Sequence, residues 1–198
     1  MGPEDRASEA DLGRCGLRSS VAVRRVAIVG SSGAGKSWLA CRLAEALELT
    51  HVELDALHHG PGWSAMPADE MRARLEVICP ADGGWVADGN YETKGGDLVR
   101  ERADTVIWLD FPRMTVIRQL TGRTLRRGIL REQLWNGNRE SLRDALSRDP
   151  QRSVLIWSWT QHEPQRRRYA AQRDSRWIRL TSRTQVRQFL ATLPASPG

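Results

Sequence analysis

The 198-residue sequence predicts an α/β domain, a parallel sheet with helices on both faces and a phosphate-binding loop after its first strand. Three observations predict it. From residue 24 onward, short apolar runs alternate with segments of helical period, the pattern of a parallel sheet wound with crossover helices. Residues 30–37 read Gly30-Ser31-Ser32-Gly33-Ala34-Gly35-Lys36-Ser37, a complete G-x-x-x-x-G-K-S loop. The loop also has the flanks it needs: Val26-Ala27-Ile28-Val29 before it, and Leu39, Leu43 and Leu47 at four-residue spacing after it.

The elements follow in order. The first strand is expected over 25–30 and the first helix over 36–48. His51-Val52-Glu53-Leu54-Asp55 reads as a second strand. Residues 68–79 have a helical pattern in Met71, Leu75 and Ile78, and Pro67 and Asp69 suit a helix start. Trp85-Val86-Ala87-Asp88 reads as the third strand, ending at Gly89-Asn90. Thr105-Val106-Ile107-Trp108-Leu109, closed by Asp110-Phe111-Pro112, is a continuous buried run of the parallel-sheet kind. A basic helix over 113–128 follows, then a last strand at Trp177-Ile178-Arg179-Leu180 and a last helix over 184–193. Residues 1–23 mix small residues, acids and arginines without a sustained period and are expected to form a disordered leader. The domain then spans 24–193, with a short tail over 194–198.

The loop carries the chemistry. Its glycines let successive backbone N–H groups turn inward toward an anion, and the helix behind adds its positive end. Gly30, Ser31, Ser32, Gly33, Ala34, Gly35, Lys36 and Ser37 are therefore the expected binders of a nucleoside triphosphate. Lys36 would reach the β- and γ-phosphates and the Ser37 hydroxyl would ligate Mg²⁺.

Composition narrows the class. No apolar stretch approaches the about 18 residues that a membrane helix needs, and no signal-peptide segment is evident. Cys15, Cys41 and Cys79 are odd in number and lack metal-like spacing, which fits isolated thiols in a reducing cytoplasm. The net charge is +6, and since Lys36 and Lys94 are the lysines, arginine carries nearly all of the positive charge. Eight tryptophans suggest packing roles for most of them.

In open parallel sheets ligands bind beyond the carboxyl ends of the strands. Asp55, Asp88 and Asp110 fall there on this assignment. Asp88 follows its strand in the Walker B manner and is the expected second Mg²⁺ ligand. Asp55 is expected to orient or deprotonate an acceptor, or to join the outer shell of the metal. Asp110 has a turn or helix cap as an equal alternative. Between 113 and 143 lie Arg113, Arg118, Arg123, Arg126, Arg127, Arg131, Arg139 and Arg143, against Glu132 and Glu140. Arg123, Arg126 and Arg127 share neighbouring helix faces. They are either a solvated basic face or part of a lid over about 118–145 that stabilises a phosphoryl group in transfer. Arg166-Arg167-Arg168 offers the same two alternatives. Leu57-His58-His59-Gly60-Pro61-Gly62-Trp63 is a turn-rich stretch where an acceptor pocket would lie. Trp63 would either stack on a base or anchor the loop to the core. Trp135-Asn136-Gly137-Asn138-Arg139-Glu140 reads as a turn of fixed conformation near the lid.

The order of Gly30–Ser37, Leu54-Asp55-Ala56-Leu57, Trp85 to Tyr91, Val106 to Pro112, Arg123 to Arg127 and Leu134 to Glu140 resembles the bacterial adenylate-kinase-related P-loop proteins, the topology modulation or FlaR-like group. The resemblance covers residues 24–193. It implies a P-loop NTPase fold of the nucleoside/nucleotide kinase type with an arginine-rich lid. It also implies ATP as substrate, Mg²⁺ as cofactor, and Arg118 and Arg123 at the start of the lid, in contact with base and phosphate. Adenylate kinases end their third strand in Asp-Gly-Phe-Pro-Arg; here Asn90-Tyr91 follow Asp88-Gly89 and that arginine is missing. The stretch between strands two and three is nearer in length to that of shikimate and gluconate kinases.

The expected function is thus an ATP-dependent kinase. Lys36, Asp55, Arg123, Arg126 and Arg127 would be catalytic, with transfer of a γ-phosphate to a nucleotide or small hydroxylated acceptor. The alternative, less favoured, is a nucleotide-gated nucleic-acid-binding ATPase or regulatory protein of DNA topology. It would draw on the arginine excess, although no nucleic-acid module is recognisable.

Overall fold

The computed structural model describes residues 23–130, 132–138, 149 and 153–193. The expected leader and tail lie outside these residues apart from Val23, as do Arg131, Arg139, Glu140 and Arg143.

Five parallel strands form one sheet in the order β2-β3-β1-β4-β5. They are β1 Arg25–Gly30, β2 Thr50–Glu53, β3 Trp85–Asp88, β4 Thr105–Leu109 and β5 Trp177–Leu180. The helices are α1 Lys36–Leu47, α2 Leu54–His58, α3 Ala68–Ile78, α4 Gly96–Arg102, α5 Arg113–Leu130, α6 Val154–Gln172 and α7 Arg183–Ala191. Every crossover contains a helix, as parallel pairing requires.

Alternation along β1 divides the core in two. Val26 and Ile28 join Leu39, Leu43, Ile107 and Phe189 on one face. Ala27 and Val29 join Met71, Leu75, Trp85, Trp108 and Tyr169 on the other. A strand buried on both faces must be apolar throughout, which is why β1 and β4 are continuous hydrophobic runs. Among the described residues no helix is long and apolar enough to cross a membrane.

Two expectations need correction, and one element goes beyond them. The second strand stops at Glu53, and Asp55 sits in the first turn of α2. The chain turns there because Leu54 is driven into the core, 1% exposed, where it packs against the backbone of Gly89. The short helix α4 had no expectation at all. The tryptophans are not mostly core: Trp85, Trp108 and Trp177 are buried, whereas Trp38, Trp63, Trp157 and Trp159 are exposed.

Candidate functional site

β1 ends at Gly30, and the chain between it and α1 folds around its own backbone. Gly30 has φ 144, and a Cβ there would stand 2.6 Å from the carbonyl oxygen of Leu109 on β4. Gly33, at φ 89, lies against Leu120 and the Val116 carbonyl of α5. Only glycine tolerates both the left-handed backbone and these approaches. Ala34 N–H donates to Ser31 O at 3.0 Å, and Leu39 N–H to Gly35 O at 3.1 Å, so the loop turns and runs directly into α1.

The loop is braced from two directions. Asn90, just past β3, accepts from Gly30 N–H at 3.2 Å and donates to Gly30 O at 3.0 Å. Tyr169 of α6 donates its hydroxyl to the same Asn90 oxygen at 3.0 Å. From α6, Gln165 accepts from the Ser31 hydroxyl at 3.3 Å, and Ser158 donates to Ser32 O at 3.2 Å. Asn90 therefore matches both backbone groups of Gly30, which gives the Asp-Gly-Asn-Tyr segment a physical purpose.

Lys36 Nζ donates to Gly30 O at 3.0 Å and to Ser31 O at 3.4 Å. Burial lowers its pKa, the charges of Asp55, Asp88 and Glu53 raise it, and the charge of Arg123 lowers it again. Three carboxylates and one arginine thus act on the lysine at once. Ser37 donates its hydroxyl to Asp88 Oδ2 at 2.7 Å. The other Asp88 oxygen lies 2.7 Å from His51 Nε2, and that hydrogen bond raises the His51 pKa. His51 carries no motif and was missed in the sequence; only its position two residues from the end of an edge strand pointed to it.

Asp55 accepts from the Tyr91 hydroxyl at 2.7 Å. Burial first, then the charge of Asp55, raises the pKa of that phenol, so it stays a donor. Around it lie His58, His59 and Trp63. The segment Trp135–Gly137 closes this region: the Trp135 indole donates to Glu53 at 2.7 Å, and Asn136 donates to His59 O at 2.6 Å. Asn138 donates to Gly60 O at 2.9 Å and accepts from Trp63 N–H at 3.1 Å. Asn138, not Trp63, anchors the loop. The Trp63 ring stays 41% exposed.

The arginines divide. Arg123 acts on Lys36, whereas Arg126 and Arg127 both pair with Glu132, at 3.2 Å and 3.8 Å. Arg118 is exposed on α5. The second cluster is tied to acids: Arg166 to Asp110 at 3.2 Å, Arg167 to Glu163 at 3.6 Å, and Arg168 to Glu92 at 4.0 Å. Asp110 is a buried anchor for Arg166 and for Arg179, whose guanidinium also lies 5.1 Å over Trp108. Both of these guanidiniums bind its carboxylate. Among the described residues no group of three or more His, Cys, Asp and Glu side chains forms a ready-made metal cluster.

No protein-family model and no curated protein matches the chain. Solved structures do. A gluconokinase from Sinorhizobium meliloti superposes with a TM-score of 0.51 at 18% identity, over 85% of this chain and 90% of its own. The fold is that of a P-loop kinase. A shikimate kinase from Acinetobacter baumannii, in complex with shikimate, follows at 0.47 and 18%, over 85% and 89% of the two chains. A deoxyadenosine kinase from M. mycoides with bound dATP follows at 0.42 and 11%, over 85% and 97%. In this P-loop kinase fold the loop, Asp88, Asp55 and Arg123 gather at one end of the sheet, around Lys36.

Proposed function

We propose that the chain is an Mg·ATP-dependent phosphotransferase of the adenylate-kinase-related, topology-modulation type, acting over residues 24–193 with a lid at about 118–145. The observation that carries this reading is the grouping around Lys36. A complete phosphate loop stands beside the Ser37–Asp88 pair, with Asp55 and Arg123 close enough for their charges to act on the lysine.

A hydroxyl and a carboxylate 2.7 Å apart are hard oxygen donors of the kind Mg²⁺ takes, so Ser37 and Asp88 would hold the ion. The ion held there would supply charge neutralisation for the β- and γ-phosphates. The residues of the chain do the rest. The loop amides and Lys36 bind the β- and γ-phosphates, and Arg118 flanks the base. Asp55 takes the proton of the acceptor hydroxyl as its oxygen bonds to the γ-phosphorus. The bond from that phosphorus to the bridging oxygen breaks, and ADP leaves. Arg123 would stabilise the charge that develops on the transferred group, with Arg126 and Arg127 further along α5. The pairing of Arg166, Arg167 and Arg168 with acids favours this reading over nucleic-acid binding, since it uses up the charge that such binding needs.

The test is acceptor-dependent ADP release from Mg·ATP by the full chain and by its Lys36→Ala variant. Loss of about 10²-fold or more in turnover with a normal unfolding transition is the expected result. Undiminished turnover in the variant rejects the reading.

A further inference from the structure

Four non-glycine residues among those described have positive φ. Glu48 merely caps α1. The other three, Trp63 (φ 61), Tyr91 (φ 30) and Asn136 (φ 54), converge on one small region. Such backbone is costly for Trp63 and Tyr91, though not for Asn136, and persists where the surroundings over-determine it, commonly at binding and catalytic sites. The region is aromatic. The Tyr91 ring lies 4.7 Å from that of His58, which in turn lies 4.7 Å from His59. His59 meets Trp63 edge-on at 5.3 Å and lies 19° from parallel with Trp135 at 6.0 Å.

Two polar atoms here lack partners. Nδ1 of His58 and Nδ1 of His59 are buried without a hydrogen bond, and His58 is only 9% exposed. Buried polar atoms in native proteins nearly always find a partner, so an orphaned pair asks for a ligand. Burial also lowers both imidazole pKa values, that of His58 to about 4, so both rings are neutral hydrogen-bonding groups near pH 7.

The charges say what kind of ligand fits. Glu53 and Asp55 border this region, accepting from the Trp135 indole and the Tyr91 hydroxyl, and their charges act on Lys36. Of the nearby cations, Arg72 pairs with Asp97 at 2.9 Å and Arg100 with Glu92, whereas Lys94 donates to the neutral Met66 O at 3.1 Å and its charge acts on His58 and His59. A phosphate on the acceptor would meet the two carboxylates here against the single ammonium of Lys94. A neutral ring with a hydroxyl meets stacking faces, neutral donors and acceptors, and a carboxylate base.

We infer that His58, His59, Trp63, Tyr91 and Trp135 form the acceptor subsite, and that the acceptor is an uncharged nucleoside-type compound with a flat ring, a free hydroxyl and no phosphate. The inference rests on the phosphotransferase reading above and names its acceptor class. Tyr91 is a positioning residue. Its hydroxyl holds Oδ1 of Asp55 and leaves Oδ2 for the acceptor hydroxyl. The acceptor oxygen bonds to the γ-phosphorus, the bond to the bridging oxygen breaks, ADP leaves and the proton goes to Asp55.

The test uses the full chain with adenosine, deoxyadenosine, guanosine and cytidine and their 5′-monophosphates. Each is titrated by tryptophan emission without ATP, and then assayed for ADP release with Mg·ATP. At least one nucleoside should change the emission and support turnover with a KM well below that of its monophosphate. Trp63→Ala should raise that KM about tenfold, the scale of one lost stacking face, with kcat little changed, and Trp63→Phe should restore it. Tyr91→Phe should lower kcat and leave KM near its original value. Better turnover of a monophosphate overturns the acceptor class and leaves phosphoryl transfer standing. A nucleoside that binds without ADP formation overturns phosphoryl transfer and keeps the subsite. No emission change with any nucleoside, or an unchanged KM in Trp63→Ala, overturns the inference itself.

Discussion

His51 Nε2 lies 2.7 Å from one oxygen of Asp88, while the hydroxyl of Ser37 donates to the other oxygen at 2.7 Å. The carboxylate is 2% exposed and is pinned at both ends. Buried polar oxygens without partners would be costly, and His51 and Ser37 between them satisfy both oxygens of Asp88 beside the loop. Cys41 Sγ stands 3.5 Å from the second ring nitrogen of His51, which completes the chain Ser37, Asp88, His51, Cys41.

The pairing predicts a pH dependence of stability. The His51 pKa is raised above 6.5 chiefly by its hydrogen bond to Asp88. A raised folded-state value means that the stabilisation is full below 6.5 and fades as pH climbs through the folded pKa. The gap in unfolding free energy between the native chain and His51→Gln should therefore be largest at about pH 6 and shrink toward about pH 9. Urea unfolding of both proteins across that range measures it. A gap that stays constant with pH would show that the imidazolium contributes nothing.

The arginines of α5 are predicted to differ in effect. Arg123 acts on Lys36, whereas Arg126 and Arg127 share Glu132, and the Arg126 side chain is 68% exposed. On the proposed reaction, Arg123→Ala should lower kcat by about 10³-fold or more, the scale of an arginine placed on a transferred phosphoryl group. Arg126→Ala should change kcat by only a few-fold. Equal losses in the two variants would mean that the helix acts as one charged surface, and that Arg123 has no special place.

How much of this was legible in the sequence depends on whether the signal was local. Val26 to Val29 and Thr105 to Leu109 announced themselves as strands because a strand buried on both faces is apolar at every position. The loop residues were legible because glycine is required where backbone meets Leu109 and Leu120. His51 was not, because its partner is set by the parallel register that aligns His51 with Val86 and Glu53 with Asp88. Asp55 was assigned to a strand that in fact stops two residues earlier, since the burial of Leu54 beside Gly89 is a long-range event. Trp135 to Asn138 read as a rigid turn from composition alone. That it clamps His59, Gly60 and Trp63 depends on distant segments meeting.

Two glycines of the loop separate backbone strain from crowding. Gly33 has φ 89, and a Cβ there would stand 2.8 Å from Leu120 Cβ and 3.1 Å from Val116 O. Gly35 has φ 93 with nothing within 4 Å of the added atom. Gly35→Ala should cost about 1–2 kcal/mol from the left-handed backbone alone. Gly33→Ala adds an overpacked contact with α5 and should cost about 2–4 kcal/mol. Equal costs in denaturant unfolding would mean that α5 moves away from the loop freely.

The thiols offer a chemical readout of the second core face. Cys79 is 0% exposed, and burial pushes its pKa up to about 12, against a smaller lowering by the charge of Arg102. Cys41 is exposed. Because the thiolate is the reactive species, a Cys15→Ser chain at about pH 8 should show one thiol that reacts at once with a disulfide reagent. The second should react only as the protein opens. Arg102 donates to Cys79 O at 2.9 Å and to Glu76 O at 3.1 Å, holding the end of α3. Arg102→Ala should therefore speed the slow reaction without altering the fast one, since Cys41 lies on α1, away from that contact. Two fast thiols in the unaltered background would show that the contact between α3 and the sheet opens freely.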